Sequence, residues 1–204
     1  MKAAATLMAL LIAGLADAPV RAQVIEYEAN GMKYQTSTRR GLTVIVTHLP
    51  NHIAGFGLLQ ISIANGSQIY WTVKPEQFSW VRPDGVVGNA MQADQVVDFL
   101  LDKASHGDVV KLVASYESAL YAIPHMRGDN GYEQRRQNSL AYGMSTRLKA
   151  AATASAIALG QTRLQPGQST DGAVFIPLSR EVKSLTGGRV VFHCEGETFE
   201  FNPD

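Results

Sequence analysis

The mature part of the sequence predicts a mainly-β fold with helix content, an antiparallel β-sandwich interrupted by a helical insertion of about three helices. Three observations carry this expectation. Short runs of β-branched and aromatic residues, separated by turn-forming residues, occupy both ends of the chain. Between them, over residues 89–160, the apolar pattern switches to the period of a helix. Neither β segment alone fills a comfortable sandwich, whereas together they supply about six or seven strands, so the two are expected to pair across the helical part.

Residues 1–22 come first. Lys2, the apolar run from Leu7 to Leu15 and the segment Val20-Arg21-Ala22 read as a cleavable export leader. The run falls short of the roughly 20 apolar residues of a membrane-spanning helix. Cleavage is expected before Gln23; the alternative cut after Ala16-Asp17-Ala18 would leave Pro19 first, which suits the peptidase's extended substrate poorly. With no cysteine near either cut, no lipid anchor is expected. The mature chain is therefore expected to be exported, periplasmic or secreted, with no membrane span.

The first β part is residues 23–88. Its runs are Leu42 to Val46, Leu59 to Ile63, Ile69 to Val73 and Phe78 to Val81, with turns at Asn65-Gly66-Ser67, Lys74-Pro75-Glu76 and Pro83-Asp84-Gly85. Ile61 and Ile63 share one face, as do Ile69, Trp71 and Val73, while Gln60, Ser62 and Thr72 take the other. The expectation is of half-buried antiparallel strands.

The helical part is residues 89–160. Gln92 to Ala104 sets Val96, Val97, Leu100 and Ala104 opposite Asp94, Asp98 and Asp102. Asp108 is placed to cap a second helix with Val109, Leu112, Val113, Tyr116 and Leu120 on one stripe. A third helix is expected from about Tyr132 to Leu159, its alanine-rich second half allowing close approach of a neighbour. Whether these helices pack on the sandwich or project from it is not legible in the pattern.

The second β part is residues 161–204, with strands over Ala173 to Leu178, Arg189 to Cys194 and Thr198 to Phe201. A two-residue turn at Glu195-Gly196 would pair Cys194 with Glu197, Phe192 with Phe199 and Val190 with Phe201. That register gathers apolar side chains on one face, buries Cys194 and points His193 the other way.

Several of these segments resemble a known family. The run Leu59-Gln60-Ile61-Ser62-Ile63-Ala64-Asn65-Gly66-Ser67, then Val73-Lys74-Pro75-Glu76-Gln77-Phe78 and Asp84-Gly85, and later Leu164-Gln165-Pro166-Gly167-Gln168-Ser169 and Gly172-Ala173-Val174-Phe175, is similar to the telokin-like, immunoglobulin-fold family of exported bacterial proteins of unknown function. The resemblance implies an immunoglobulin-like sandwich and names no activity. The helical insertion departs from the plain family pattern, which makes it the place to look for a distinct role.

Charge excludes one partner class. The leader takes Lys2, Arg21 and Asp17 out of 18 basic and 18 acidic residues, leaving 16 and 17, and a near-neutral chain lacks the basic surface that nucleic acid demands. The single cysteine, Cys194, excludes an internal disulfide framework.

Candidate sites are few. Asp94, Asp98 and Asp102 form an acidic stripe that would face solvent, pair with Arg135, Arg136, Arg147 or Lys149 of the third helix, or meet a cation such as calcium, a substrate or a basic partner. Tyr70, Trp71, Phe78 and Trp80 cluster in sequence and would suit a glycan if exposed, although Trp71 shares a face with core residues. His48 and His52 have the spacing of a helical zinc pair but flank Pro50 at the end of a strand, and His106 and His125 have no evident third ligand, so no metal is expected. His193 and Cys194, adjacent on a strand, point to opposite faces and cannot form a nucleophile–base pair. No glycine-rich phosphate loop, G-x-S-x-G, H-E-x-x-H or paired C-x-x-C occurs, and no cofactor is implied.

The expectation is thus a non-catalytic exported binding or assembly module, contacting an envelope protein partner through the helical insertion or a sheet edge. Its partner-binding candidates are Asp94, Asp98, Asp102, Arg135 and Arg136. The competing reading is a ligand-binding protein whose pocket, between sandwich and helices, is lined by Trp71, Trp80, Tyr116 and Tyr142. Such a pocket would be concave, apolar and at least about 300 Å³. A third reading, a hydrolase, requires His48, His52, His106 and Glu117 to converge.

Overall fold

Two-residue turns ending in glycine organise the strands. Asn30-Gly31, Arg40-Gly41 and Ala54-Gly55 each have positive φ at both residues, the geometry whose twist matches that of the strands it joins. They connect β1 (Val24–Ala29), β2 (Met32–Arg39), β3 (Leu42–Ile53) and β4 (Phe56–Asn65) into a meander. The computed structural model describes residues 23–202 except 106, 109–110, 112–115, 120–121, 123–144, 180 and 183, and the backbone alone at 51–52. The leader assigned to residues 1–22 lies outside the described residues.

After the meander come β5 (Trp71–Val73), a single 3-10 turn at Pro75–Gln77, β6 (Phe78–Val81), β7 (Val87–Asn89) and α1 (Ala93–Lys103). Then follow α2 (Thr146–Ile157), β8 (Thr162–Leu164), β9 (Ser169–Pro177), β10 (Arg189–Cys194) and β11 (Glu197–Phe201). The strands form a five-stranded sheet ordered β1-β2-β3-β4-β9, a four-stranded sheet ordered β11-β10-β6-β7, and the pair β5-β8, all antiparallel. Strands before the helices thus pair with strands after them, β4 with β9, β5 with β8 and β6 with β10.

The two larger sheets share a core. Val44, Val46, Leu59, Ile61, Ile63, Val174 and Ile176 of the five-stranded sheet meet Phe78, Trp80, Val190, Phe192, Phe199 and Phe201 of the other. Phe78 and Phe192 stack with centroids 4.2 Å apart. Each such side chain contributes about 1.5–3 kcal/mol by leaving water. At the border of the sheets the Gln35 carboxamide stands in for a strand: it donates to Asn202 O at 2.8 Å and accepts from Asn202 N at 2.5 Å.

The helices pack on the opposite face of the five-stranded sheet. There Tyr34, Ile45, Leu49, Ile53, Phe56, Leu58 and Phe175 lie beneath Val96 and Leu100 of α1 and Ala150, Ala151, Ala154 and Ile157 of α2. Phe99 of α1 meets Phe56 edge-on at 4.9 Å. Tyr34 Oη donates to Ala119 O at 3.0 Å and Tyr116 Oη donates to Asp171 Oδ2 at 2.9 Å, tying the helical residues 116–119 to β2 and β9. The order of layers is therefore sheet, sheet, helix, with the five-stranded sheet in the middle.

Both ends of the helical excursion are anchored on the free edge of β9. Met91 N donates to Phe175 O at 3.0 Å as the chain leaves, and Leu159 N donates to Ala173 O at 2.8 Å as it returns. Leu159 then turns past that edge into the core between the sheets. Gly172 permits the passage, since a Cβ there would lie 2.5 Å from the Leu159 Cα.

Several expectations change. Gln60 and Ser62, expected on a solvent face, are buried, because the helices cover that side. Ile69 is exposed and precedes β5. The third helix is not one piece from Tyr132 to Leu159: Ser145 is extended and caps α2 by accepting from Leu148 N at 3.3 Å, and the helix ends at Ile157. Asp108 is not an N-cap but lies in the first turn, where its carboxylate accepts from the Ser105 amide and hydroxyl at 2.8 and 2.7 Å. The strands β1, β2, β7 and β8 were not anticipated, whereas the Glu195-Gly196 turn and its three cross-strand pairs are as expected.

Candidate partner-binding face and junction groove

The acidic stripe is built by the fit of α1 to the sheet. At its N-terminus the Gln95 carboxamide accepts from the Gln92 amide, and Val96 and Leu100 are buried beneath the helix. Asp94, Asp98 and Asp102 are consequently turned outward, and all three are exposed. Like charges one turn apart cost about 0.2–0.5 kcal/mol per pair. Among the described residues, none of the three carboxylates makes an ion pair. Arg147 and Lys149 make no ion pair with the stripe among the described residues, and Lys103 Nζ sits over the Phe99 ring at 5.0 Å. Arg135 and Arg136 lie outside the described residues. Leu101, three residues beyond Asp98 and on the same stripe, is itself exposed.

At the N-terminal end of α1 the stripe runs into a groove of about 310 Å³ lined by Pro75, Glu76, Gln92, Ala93, Asp94, Leu159, Gly160 and Gln161. The 3-10 turn, the start of α1 and the chain leaving α2 meet there, at the junction of sandwich and helices. Amides at this helix end are occupied: Gln95 N donates to Asp94 Oδ1 at 2.8 Å and Gln92 N to Gln95 Oε1 at 3.3 Å. An anion therefore gains little, and Glu76, Asp94 and the carboxamides of Gln92 and Gln161 set the character of the groove. It suits a cationic group or an amide donor. The volume reaches the size expected of a junction pocket, but the lining is mixed, polar and apolar in nearly equal parts, where a predominantly apolar one was expected.

Among the described residues, none of the aromatic candidates lines this groove. Trp71 and Trp80 are buried between the two sheets, with Trp71 Nε1 donating to Ser67 Oγ at 3.0 Å. Tyr116 is buried on the far side of the central sheet, among the helices. The structure thus separates Trp71 and Trp80 from Tyr116 instead of bringing them together, and Tyr142 lies outside the described residues. Sequence reasoning missed Glu76, Gln92 and Gln161, which only tertiary folding brings side by side; the turn signal at Lys74-Pro75-Glu76 was the sole local cue.

The other candidates are dispersed. His48 is on β3, on the strand face of Val44 and Val46, while Glu117 belongs to the helical layer on the opposite side of that sheet. His106 and the side chain of His52 lie outside the described residues. Among the described residues no three His, Cys, Asp or Glu side chains are grouped to hold a metal ion, and no helix is long and apolar enough to cross a membrane.

Cys194 is buried, its Sγ donating to Thr72 O at 3.4 Å. Burial, with the Glu195 charge adding to it and a bond from Gln77 opposing, pushes the thiol up to about 11. Between pH 9 and 11 the unfolded chain releases this proton while the folded chain keeps it, so stability should fall as pH rises through that window. At pH 8 iodoacetamide should leave Cys194 unmodified in the native protein and alkylate it fully in urea; rapid native alkylation would contradict the burial.

Comparison of the chain with protein-family models, with curated proteins and with solved structures gives no match.

Proposed function

We propose that the chain is an exported, non-catalytic, immunoglobulin-like binding or assembly module of the bacterial cell envelope, which takes a basic segment of a protein partner along the outer face of α1. The observation that carries this reading is the line of exposed carboxylates Asp94, Asp98 and Asp102, without an ion pair among the described residues, that ends at the groove holding Glu76. Export is supported by the leader pattern of residues 1–22, and the immunoglobulin-like character by the strand motifs and by two antiparallel sheets facing one another. Leu101 supplies an apolar contact within the acidic face, the combination that lets a partner gain both steering and burial.

The groove favours a Lys or Arg side chain at one end of that segment, held between Glu76 and Asp94. Replacing Asp94, Asp98 and Asp102 together by asparagine relieves repulsion along α1 but gives up the favourable place of Asp94 in the first turn, so stability should change by less than about 0.5 kcal/mol. The same change should weaken binding of a lysine- and leucine-containing peptide at least about tenfold at low salt. Calorimetric titration at two salt concentrations tests this; affinity unchanged by the three substitutions would refute the reading.

A further inference from the structure

We infer that the edge of β1, open among the described residues, is a second binding surface, which accepts an extended strand of a protein partner carrying alternating basic and apolar side chains. It stands apart from α1 and rests on different observations. Of the four edges of the two larger sheets, that of β9 is covered by Met91 and Leu159, β7 has three residues, and β11 lies against β2 through Gln35 and Asn202. β1 is six residues long, pairs among the described residues only with β2 and runs without a register shift. Sheet edges are ordinarily blunted by charged side chains, proline, a bulge or shortness; β1 has no proline, lysine or bulge, and its charges are the two carboxylates Glu26 and Glu28. Val24 and Ile25 are 37% and 57% exposed on it.

The register fixes which groups are offered. The turn at Asn30-Gly31 closes on the pair Ala29 and Met32, so Ala29, Tyr27 and Ile25 exchange main-chain bonds with β2. The N–H and C=O groups of Val24, Glu26 and Glu28 then point away from the sheet. Tyr27 and Ala29 pack toward the helical layer, Tyr27 stacking on Tyr34 at 5.1 Å, while Glu26 and Glu28 are exposed on the other face.

That pattern selects the occupant. An antiparallel two-fold pairing of β1 with a second copy keeps each residue opposite one from its own face, and either register overlapping most of the strand sets Glu26 against Glu26 or Glu28 of that copy. Like charges directly opposed destabilise a sheet. A foreign strand with lysine or arginine opposite Glu26 and Glu28, and aliphatic residues beside Ile25 and Tyr27, satisfies both faces and the main chain together.

The test is residue-resolved amide exchange of the mature chain with and without the peptide acetyl-Lys-Val-Lys-Val-Lys-amide. Exchange at Glu26 and Glu28 should slow about tenfold or more, while Tyr27, already bonded to β2, changes little. Glu28→Gln should weaken the effect several-fold and Glu28→Pro, which removes one outward N–H, should abolish it, with β3 and β4 exchange unchanged in both. Three results would overturn the inference: no slowing at these amides, equal slowing by a peptide with glutamate for lysine or N-methylated at alternate residues, or slowing that grows with protein concentration alone, which would make a second copy the occupant. Protection confined to α1 would support the acidic-face reading and reject this one.

Discussion

Replacing Gly172 by valine is expected to lower stability by about 3 kcal/mol or more and to loosen α2 before the sandwich unfolds. At this position even a Cβ would stand 2.5 Å from the Leu159 Cα and 2.7 Å from its N, and both obstacles are main chain. Valine favours a strand by up to about 1 kcal/mol, but overpacking against atoms that cannot rotate away costs about 1–3 kcal/mol or more and here also strains the Leu159–Ala173 bond. Relief requires the chain leaving α2 to lift off β9, which withdraws Leu159 from one core and Ile157 from the other. Urea unfolding of the wild-type and variant chains measures the loss, and amide exchange should show α2 protected less than β3. A variant within about 0.5 kcal/mol of wild type would mean that the helical layer is not clamped to β9 as described.

Trp71→Ala should cost about 3–5 kcal/mol. The indole is wholly buried between the sheets, and its Nε1 donates to Ser67 Oγ, the hydroxyl that also bonds Asn65 and so shapes the turn after β4. Truncation opens a cavity and removes that bond at once. The effect should appear as a lower urea midpoint with an unchanged slope, and equally in the presence of sugars. A stable variant, or a wild type whose indole fluorescence responds to saccharides, would restore the aromatic platform that the sequence left open.

How legible the fold was depended on whether a segment carried its own signal. The β10–β11 hairpin was readable to the residue, because its turn is glycine-ended and its apolar alternation agrees with one register only. Helix α1 was equally clear, its buried Val96 and Leu100 lying opposite three aspartates. The β1–β2 hairpin has a strong turn in Asn30-Gly31, but β2 is mostly polar and β1 opens on two adjacent apolar residues, so the alternation was faint. Gln60 and Ser62 misled because polar residues in alternation normally mark a wet face, and only the helices, more than 30 residues away in sequence, bury them here. Of the candidate site, the aspartate stripe was visible as a periodicity. The groove was not, because Glu76, Gln92 and Gln161 meet only once β9 has gathered both ends of the helical excursion.

The central claim is that the function resides on the acidic face of α1. Its most direct test is a crosslinking capture from the native envelope fraction with two baits, the mature chain and the same chain carrying Asp94→Asn, Asp98→Asn and Asp102→Asn. The account predicts a partner held by the first bait, lost from the second and crosslinked through a basic segment to residues of α1 or the adjoining groove. The same partner recovered equally by both baits would contradict it.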